Sequence, residues 1–136
     1  MSAAENKKLL QNAFAAWVSG DGTAFFKVLA EDVRWTVIGA SPVSRTYTSR
    51  QQFLDGAVKP LSEKLAGPIQ PTVLNVIAEG DNVVVQWQGQ APTKAGPTYR
   101  NSYCWVMRLE NGRVKEGTAY IDTEAVTELW RSGGQQ

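Results

Sequence analysis

The sequence predicts an α+β domain, with helices gathered on one face of a curved mixed or antiparallel sheet and a wedge-shaped apolar space between the layers. Three observations predict it. Residues 3–18 place their apolar side chains with the period of a helix. From Asp32 onward the period is two, the mark of strands. Short hairpin signals, Gly80-Asp81 and Asn111-Gly112, join the later strands where crossover helices would be needed in a parallel sheet. Helices grouped before such a meander belong to the α+β class.

Each element has its own warrant. In residues 3–18, Leu10, Phe14 and Trp17 form a stripe that Leu9, Ala13 and Ala16 widen. Ser19-Gly20-Asp21-Gly22 stops that helix, and Thr23 to Leu29 reads as a short second helix, making a helical hairpin. Asp32 to Ile38 alternates Val33, Trp35 and Val37 with Arg34 and Thr36, so it is a strand. Val43 to Thr48 is a weaker one. Ser49-Arg50-Gln51-Gln52 has the form of a capping box and opens a helix carrying Phe53, Leu54, Ala57, Val58 and Leu61. Pro60 kinks or splits it, and Ala66-Gly67-Pro68 ends it. The meander follows as Pro71–Glu79, Asn82–Gln90, Thr98–Glu110 and Arg113–Asp122, then a helical turn from Thr123 to Trp130. Residues 1–131 read as one domain and 132–136 as a mobile tail.

Composition removes several classes of function. The formal charge is +1, from 14 basic and 13 acidic residues, so no long-range field gathers nucleic acid or an anionic membrane. There is no histidine and one cysteine, Cys104. Ser-His-Asp and Cys-His catalysis are therefore excluded, as are zinc sites of the usual ligands. No Asp/Glu-rich loop suggests calcium, and neither metal nor cofactor is expected. The N-terminal residues lack the apolar run of a signal peptide, and no stretch approaches the ~18 apolar residues of a membrane span. A cytoplasmic protein is expected.

Several short motifs carry a resemblance. Phe14-Ala15-Ala16-Trp17-Val18-Ser19-Gly20-Asp21 resembles a helix-then-Gly-Asp opening, and Leu29-Ala30-Glu31-Asp32-Val33-Arg34-Trp35 an L-x-x-D-V-x-W entry into the first strand. Tyr47, Asn111-Gly112-Arg113-Val114 and Tyr120-Ile121-Asp122 follow in order. Together they resemble the SnoaL-like, ketosteroid-isomerase-like branch of the nuclear-transport-factor-2-like (NTF2-like) superfamily. The resemblance implies a cone-shaped, cystatin-like fold, frequent homodimers and small-molecule pockets, but no single reaction. The catalytic groups of its enzymes are not found at matching positions. The isomerase tyrosine falls on Ala13, its base near Thr36 or Val37, and its protonated acid near Trp105. The charged groups of the limonene-epoxide-hydrolase type fall near Val83, Val85 and Ala119. A slip of one residue in these alignments would change the face of a strand.

The resemblance also suggests which strand faces look inward: Val33, Trp35 and Val37; Val83, Val85 and Trp87; Tyr99, Asn101, Tyr103, Trp105 and Met107; Gly117, Ala119 and Ile121. From these, Trp17, Trp35, Val37, Trp87, Asn101, Tyr103, Trp105 and Ala119 are candidates to touch a ligand, with plain core packing as the competing reading of each aromatic. Small Gly117 and Ala119 opposite Trp35 and Trp105 either leave space or are the gaps those rings fill. Asn101 and Tyr103 point the same way and suit a carbonyl or hydroxyl on an apolar ligand; Tyr47 is a third polar candidate. These three are the only candidates for a catalytic role. Asp122 reads as the cap of the closing helix. Arg100, Glu116, Cys104, Val106 and Arg108 fall on the outer face, where a homodimer would form.

The preferred reading is a binding domain for a small apolar organic ligand. A cofactor-independent isomerase, cyclase, dehydratase or hydrolase is the alternative, and a homodimeric assembly domain a third.

Overall fold

The computed structural model describes residues 1–133. Helix α1, Ala3–Val18, is followed by a 3-10 turn at Phe26–Val28, strand β1 (Leu29–Val37) and strand β2 (Arg45–Tyr47). A helical segment then runs as α2 (Arg50–Phe53), a π-helical turn (Leu54–Val58) and α3 (Lys59–Glu63). Strands β3 (Gln70–Glu79), β4 (Asn82–Ala91), β5 (Tyr99–Glu110) and β6 (Arg113–Ile121) precede helix α4, Thr123–Gly133. The six strands form one sheet in the order β2-β1-β6-β5-β4-β3. Only β1 and β6 run parallel, so the sheet is mixed, as expected. Its β3–β6 meander is antiparallel. Bulges at Val73/Asn75 and Arg108/Leu109 add local twist and bend to the strands.

Local sequence explains the ends of these elements. Ser2 and Glu5 form a full capping box: the Ser2 hydroxyl accepts from the Glu5 N–H at 3.1 Å and the Glu5 carboxylate from the Ser2 N–H at 2.8 Å. Ser49 caps α2 through the Gln52 N–H at 3.0 Å, but the Gln52 side chain returns to the Thr48 N–H at 2.9 Å and not to that of Ser49. Asn111 (φ 50°) and Gly112 (φ 75°) both take the left-handed conformation that the tightest hairpin requires.

Four expectations change. The stretch Thr23–Leu29 makes only turns and the 3-10 turn, because Leu29 is already extended and feeds β1. The strand expected over Val43–Thr48 is three residues long; Val43 precedes it in a serine-rich turn held by Ser41 and Ser44. Pro60, expected to kink or split its helix, does not split it. A proline has no N–H to give, and its ring crowds the carbonyl four residues back. The helix widens to a π turn just before it, with the Lys59 N–H bonded to the Leu54 carbonyl. Finally, α4 extends through Ser132 and Gly133, which were expected in the tail; the rest of that tail, 134–136, lies outside the described residues.

The core lies between the inner face of the sheet, α1 and the 50–63 helical segment. Trp35, Trp87, Phe14 and Phe25 are among its largest fully buried side chains. Among the described residues no helix is long and apolar enough to cross a membrane.

Candidate functional site

Between the helices and the sheet lies a cavity of about 550 Å³. Period-two alternation delivers its floor: Trp35 and Val37 from β1, Trp87 from β4, Tyr99, Tyr103 and Trp105 from β5, Ala119 and Ile121 from β6. Trp17 of α1 and Phe26 close one side, and Phe53, Ala57, Val58 and Leu61 of the helical segment another. No wall residue is Asp, Glu, Lys, Arg or Cys. The polar wall groups are the Ser62 hydroxyl, two phenols and the indole N–H groups.

The rings hold one another in place. Trp105 stands edge-on to Trp35 (5.1 Å between centroids, 89°) and to Trp87 (4.8 Å, 80°). Tyr103 lies flat on Trp87 at 3.9 Å and 8°. Two glycines make this packing feasible. A Cβ at Gly117 would fall inside the Trp35 ring. One at Gly89 would meet Ile69, Trp87 at 3.0 Å and Tyr103 at 3.3 Å. Gly117 is thus a gap that Trp35 fills, whereas Ala119 remains on the cavity wall. The indole N–H groups of Trp35, Trp87 and Trp105 are buried without an acceptor. Each such loss costs about 1–3 kcal/mol. Edge-to-face packing, which brings a positive ring rim to a negative face, offsets part of it.

The three polar candidates part company. Tyr47 is 1% exposed and does not line the cavity; its hydroxyl donates to the Val43 carbonyl at 2.7 Å. The Arg45 guanidinium sits 4.6 Å from the centre of its ring. Asn101 stands behind the wall and braces the chain: its Nδ2 donates to the Asp122 carbonyl at 3.1 Å, and its Oδ1 accepts from the Asp122 N–H at 3.0 Å. The same Nδ2 donates to the Tyr99 hydroxyl at 2.8 Å. Tyr99 in turn shares a hydrogen bond of 2.9 Å with Tyr103. Only Tyr103 of the three lies on the wall, with Tyr99 beside it. Burial, and then the neighbouring Tyr99, push the Tyr103 phenol well above its ordinary value of 10.0. Burial likewise raises that of Tyr99. Both phenols therefore stay protonated at neutral pH and act as hydrogen-bond donors, not bases.

Asp122 caps α4, its Oδ1 accepting from the Glu124 N–H at 3.1 Å. On β1, Thr36 faces outward and bonds to Thr46 at 2.9 Å, while Val37 lies on the cavity wall, so neither can serve as a base. Among the described residues no three His, Cys, Asp or Glu side chains come together to hold a metal. Tyr99 and the wall contributed by Phe53, Ala57 and Leu61 were absent from the candidates read from sequence. The i, i+4, i+8 spacing of the latter three after the Ser49 cap was the available signal.

The outer face repeats nothing of this. Arg108 pairs with Glu116 at 2.9 Å and Glu110 at 2.7 Å, Lys115 with Asp32 at 2.7 Å, and Arg100 bonds to Gln90. Cys104 lies among them, half-buried and unpaired.

Comparison with known proteins agrees with this architecture. The model of the SnoaL-like domain matches residues 10–117. Bal32a, from a soil-derived mobile gene cassette, is similar in structure with a TM-score of 0.79 at 24% identity, over 95% of this chain and 98% of its own. TerC, co-crystallised with polyporic acid, has a TM-score of 0.75 at 19% identity, over 93% and 98%. A protein of ketosteroid-isomerase-like fold from Catenulispora acidiphila, in complex with trimethylamine, has a TM-score of 0.69 at 17% identity, over 92% of each chain. No curated protein matches the sequence. With a family model covering most of its length and an unclosed six-strand sheet under helices, the chain belongs to the SnoaL-like family of NTF2-like fold.

Proposed function

We propose that this domain binds a small, mostly apolar organic molecule in the cavity bounded by Trp17, Trp35, Trp87, Tyr103, Trp105 and Ala119. The observation that carries the reading is the cavity itself: about 550 Å³, walled by aromatic and aliphatic side chains, without a carboxylate, amine or guanidinium. Pockets of that size and lining suit drug-sized ligands. Proteins of the same fold that were crystallised with polyporic acid and with trimethylamine support a small-molecule role.

Binding is preferred over an isomerase, cyclase, dehydratase or hydrolase activity because no wall residue takes up a proton at neutral pH. The test is quenching of tryptophan fluorescence by 2-ethylnaphthalene. Saturable quenching is expected in the natural sequence and its loss in Ala119→Trp, a variant that fills the cavity and whose folding is checked by circular dichroism. Absence of saturable quenching in the natural sequence overturns the reading.

The outer sheet face is proposed as a self-association surface. Ile77 and Tyr120 are about half exposed there, at 51% and 50%. One cross-strand row carries both signs of charge, Arg34 opposite Glu116 and Glu116 opposite Arg108, which suits a two-fold copy of itself. Sedimentation should give a dimer that Val106→Glu dissociates; a monomer at high concentration refutes it.

A further inference from the structure

The two phenols of the cavity wall carry between them one hydroxyl hydrogen that the protein leaves without an acceptor. The count follows from four hydrogen bonds. The Asp122 N–H and carbonyl fix the Asn101 amide, so that its Nδ2 must face the Tyr99 hydroxyl, 2.8 Å away. The Tyr99 oxygen therefore accepts. Tyr99 and Tyr103 share one further bond, at 2.9 Å, which uses one of their two O–H hydrogens. Whichever phenol donates to the other, one hydrogen is left over. Neither hydroxyl has any other partner among the described residues, and both phenols stand on the wall. A hydrogen bond received from Asn101 polarises the next one along such a chain, so Tyr99 is the better donor and Tyr103 the end of the relay.

We propose that this spare hydroxyl selects the ligand: a neutral, planar aromatic compound bearing one carbonyl acceptor, such as an aryl ketone. The inference rests on the binding role argued above. An acceptor is required because the donor is otherwise buried unpaired when an apolar ligand excludes water. Neutrality is required because no cation lines the cavity to compensate a buried carboxylate, and no carboxylate lines it to compensate a buried ammonium. Planarity follows from the stacked and edge-on rings of Trp87, Tyr103 and Trp105. Asn101 does not touch the ligand; it is a positioning residue that acts through Tyr99.

The relay has a consequence that simple contact does not. Tyr103→Phe frees the Tyr99 hydrogen, and Tyr99→Phe leaves that of Tyr103, so each single variant retains a donor. Only the double variant has no phenol donor. The experiment titrates tryptophan fluorescence with 2-acetylnaphthalene, 2-ethylnaphthalene and 2-naphthoate. The ketone is expected to bind about tenfold more tightly than the hydrocarbon, the worth of one net hydrogen bond. The single variants should keep part of that ratio and Tyr99→Phe/Tyr103→Phe should reduce it to about one, with folding of each variant checked by circular dichroism. Equal binding of ketone and hydrocarbon to the natural sequence overturns the inference but leaves the binding role standing. So does a ratio that survives in the double variant, or naphthoate binding more tightly than the ketone. Failure of all three probes to bind overturns the binding role beneath it.

Discussion

Along β5 the two faces of the sheet share a backbone and little else. Tyr99, Asn101, Trp105 and Met107 look inward and are at most 6% exposed; Arg100 and Ser102 between them look out and are exposed. On the inner face polar groups are few and neutral, and those that matter are tied in sequence from Asp122 through Asn101 and Tyr99 to Tyr103. On the outer face charges are plentiful and paired with neighbours that water also reaches. Surface pairs of that kind contribute little, whereas a buried ring or a buried hydroxyl is held by everything around it. Stability and selectivity should therefore depend on the inner face far more than on the outer, and the comparison can be broken by substitution.

The largest effect is expected at Trp35. It is fully buried, packs edge-on to Trp105 and crosses Gly117. Trp35→Ala should lower the free energy of unfolding by about 3–5 kcal/mol, read from the midpoint of urea denaturation. An effect as small as that of an outer-face substitution would mean that the ring is not the centre of the core.

Gly117→Ala tests the same contact from the other side. The added methyl meets the Trp35 ring, and overpacking of this kind costs about 1–3 kcal/mol. Tolerance with unchanged stability would show that the ring has room to move. In sequence, Gly117 opposite Trp35 was ambiguous between an open space and a filled one. Composition and period give the face on which a residue lies, not the distance left over once its neighbours are in place.

The inner phenols make a prediction about pH. Burial raises both Tyr99 and Tyr103, so the folded state holds those protons more tightly than the unfolded chain does. Below about pH 10 both states are protonated and the phenols contribute no pH dependence. Above it the unfolded chain ionises first, and stability should fall as pH rises. Denaturation midpoints measured from pH 8 to 11 should show that alkaline loss, and Tyr103→Phe should shallow it. A profile equally steep in the variant would assign the loss to other groups.

Much of this architecture was legible in the sequence. The period change after Asp32 and the Asn111-Gly112 turn led to the meander, and the inward residues of β4 and β5 have the faces expected of them. What period could not supply was the partner of each polar atom. Asn101 points inward as its spacing requires, yet its amide is tied to Asp122, twenty-one residues later and just past the end of β6. Tyr47 is likewise claimed by the Val43 carbonyl. Such pairings are set by how a chain returns to itself, which a local pattern does not encode. The π turn before Pro60 is a similar case: the proline is visible, but whether the helix stops or widens is decided by the cover that Phe53, Ala57 and Leu61 find over the sheet.

The smallest effect tests the reading most closely. Thr36 and Val37 are neighbours of nearly equal size on opposite faces of β1. Thr36 bonds to Thr46 across the outer edge of the sheet; Val37 is 6% exposed on the cavity wall, beside Ala119. Thr36→Val removes one partly solvated hydroxyl contact and should change stability by about 0.5 kcal/mol or less. Val37→Thr places a hydroxyl among hydrocarbon and should cost about 1–2 kcal/mol, unless cavity water accepts its hydrogen bond. The two substitutions exchange the same atoms one residue apart, so propensity and volume nearly cancel between them. What remains is the difference between the faces, and equal effects in urea denaturation would mean that β1 is one residue out of register, with its threonine on the cavity side.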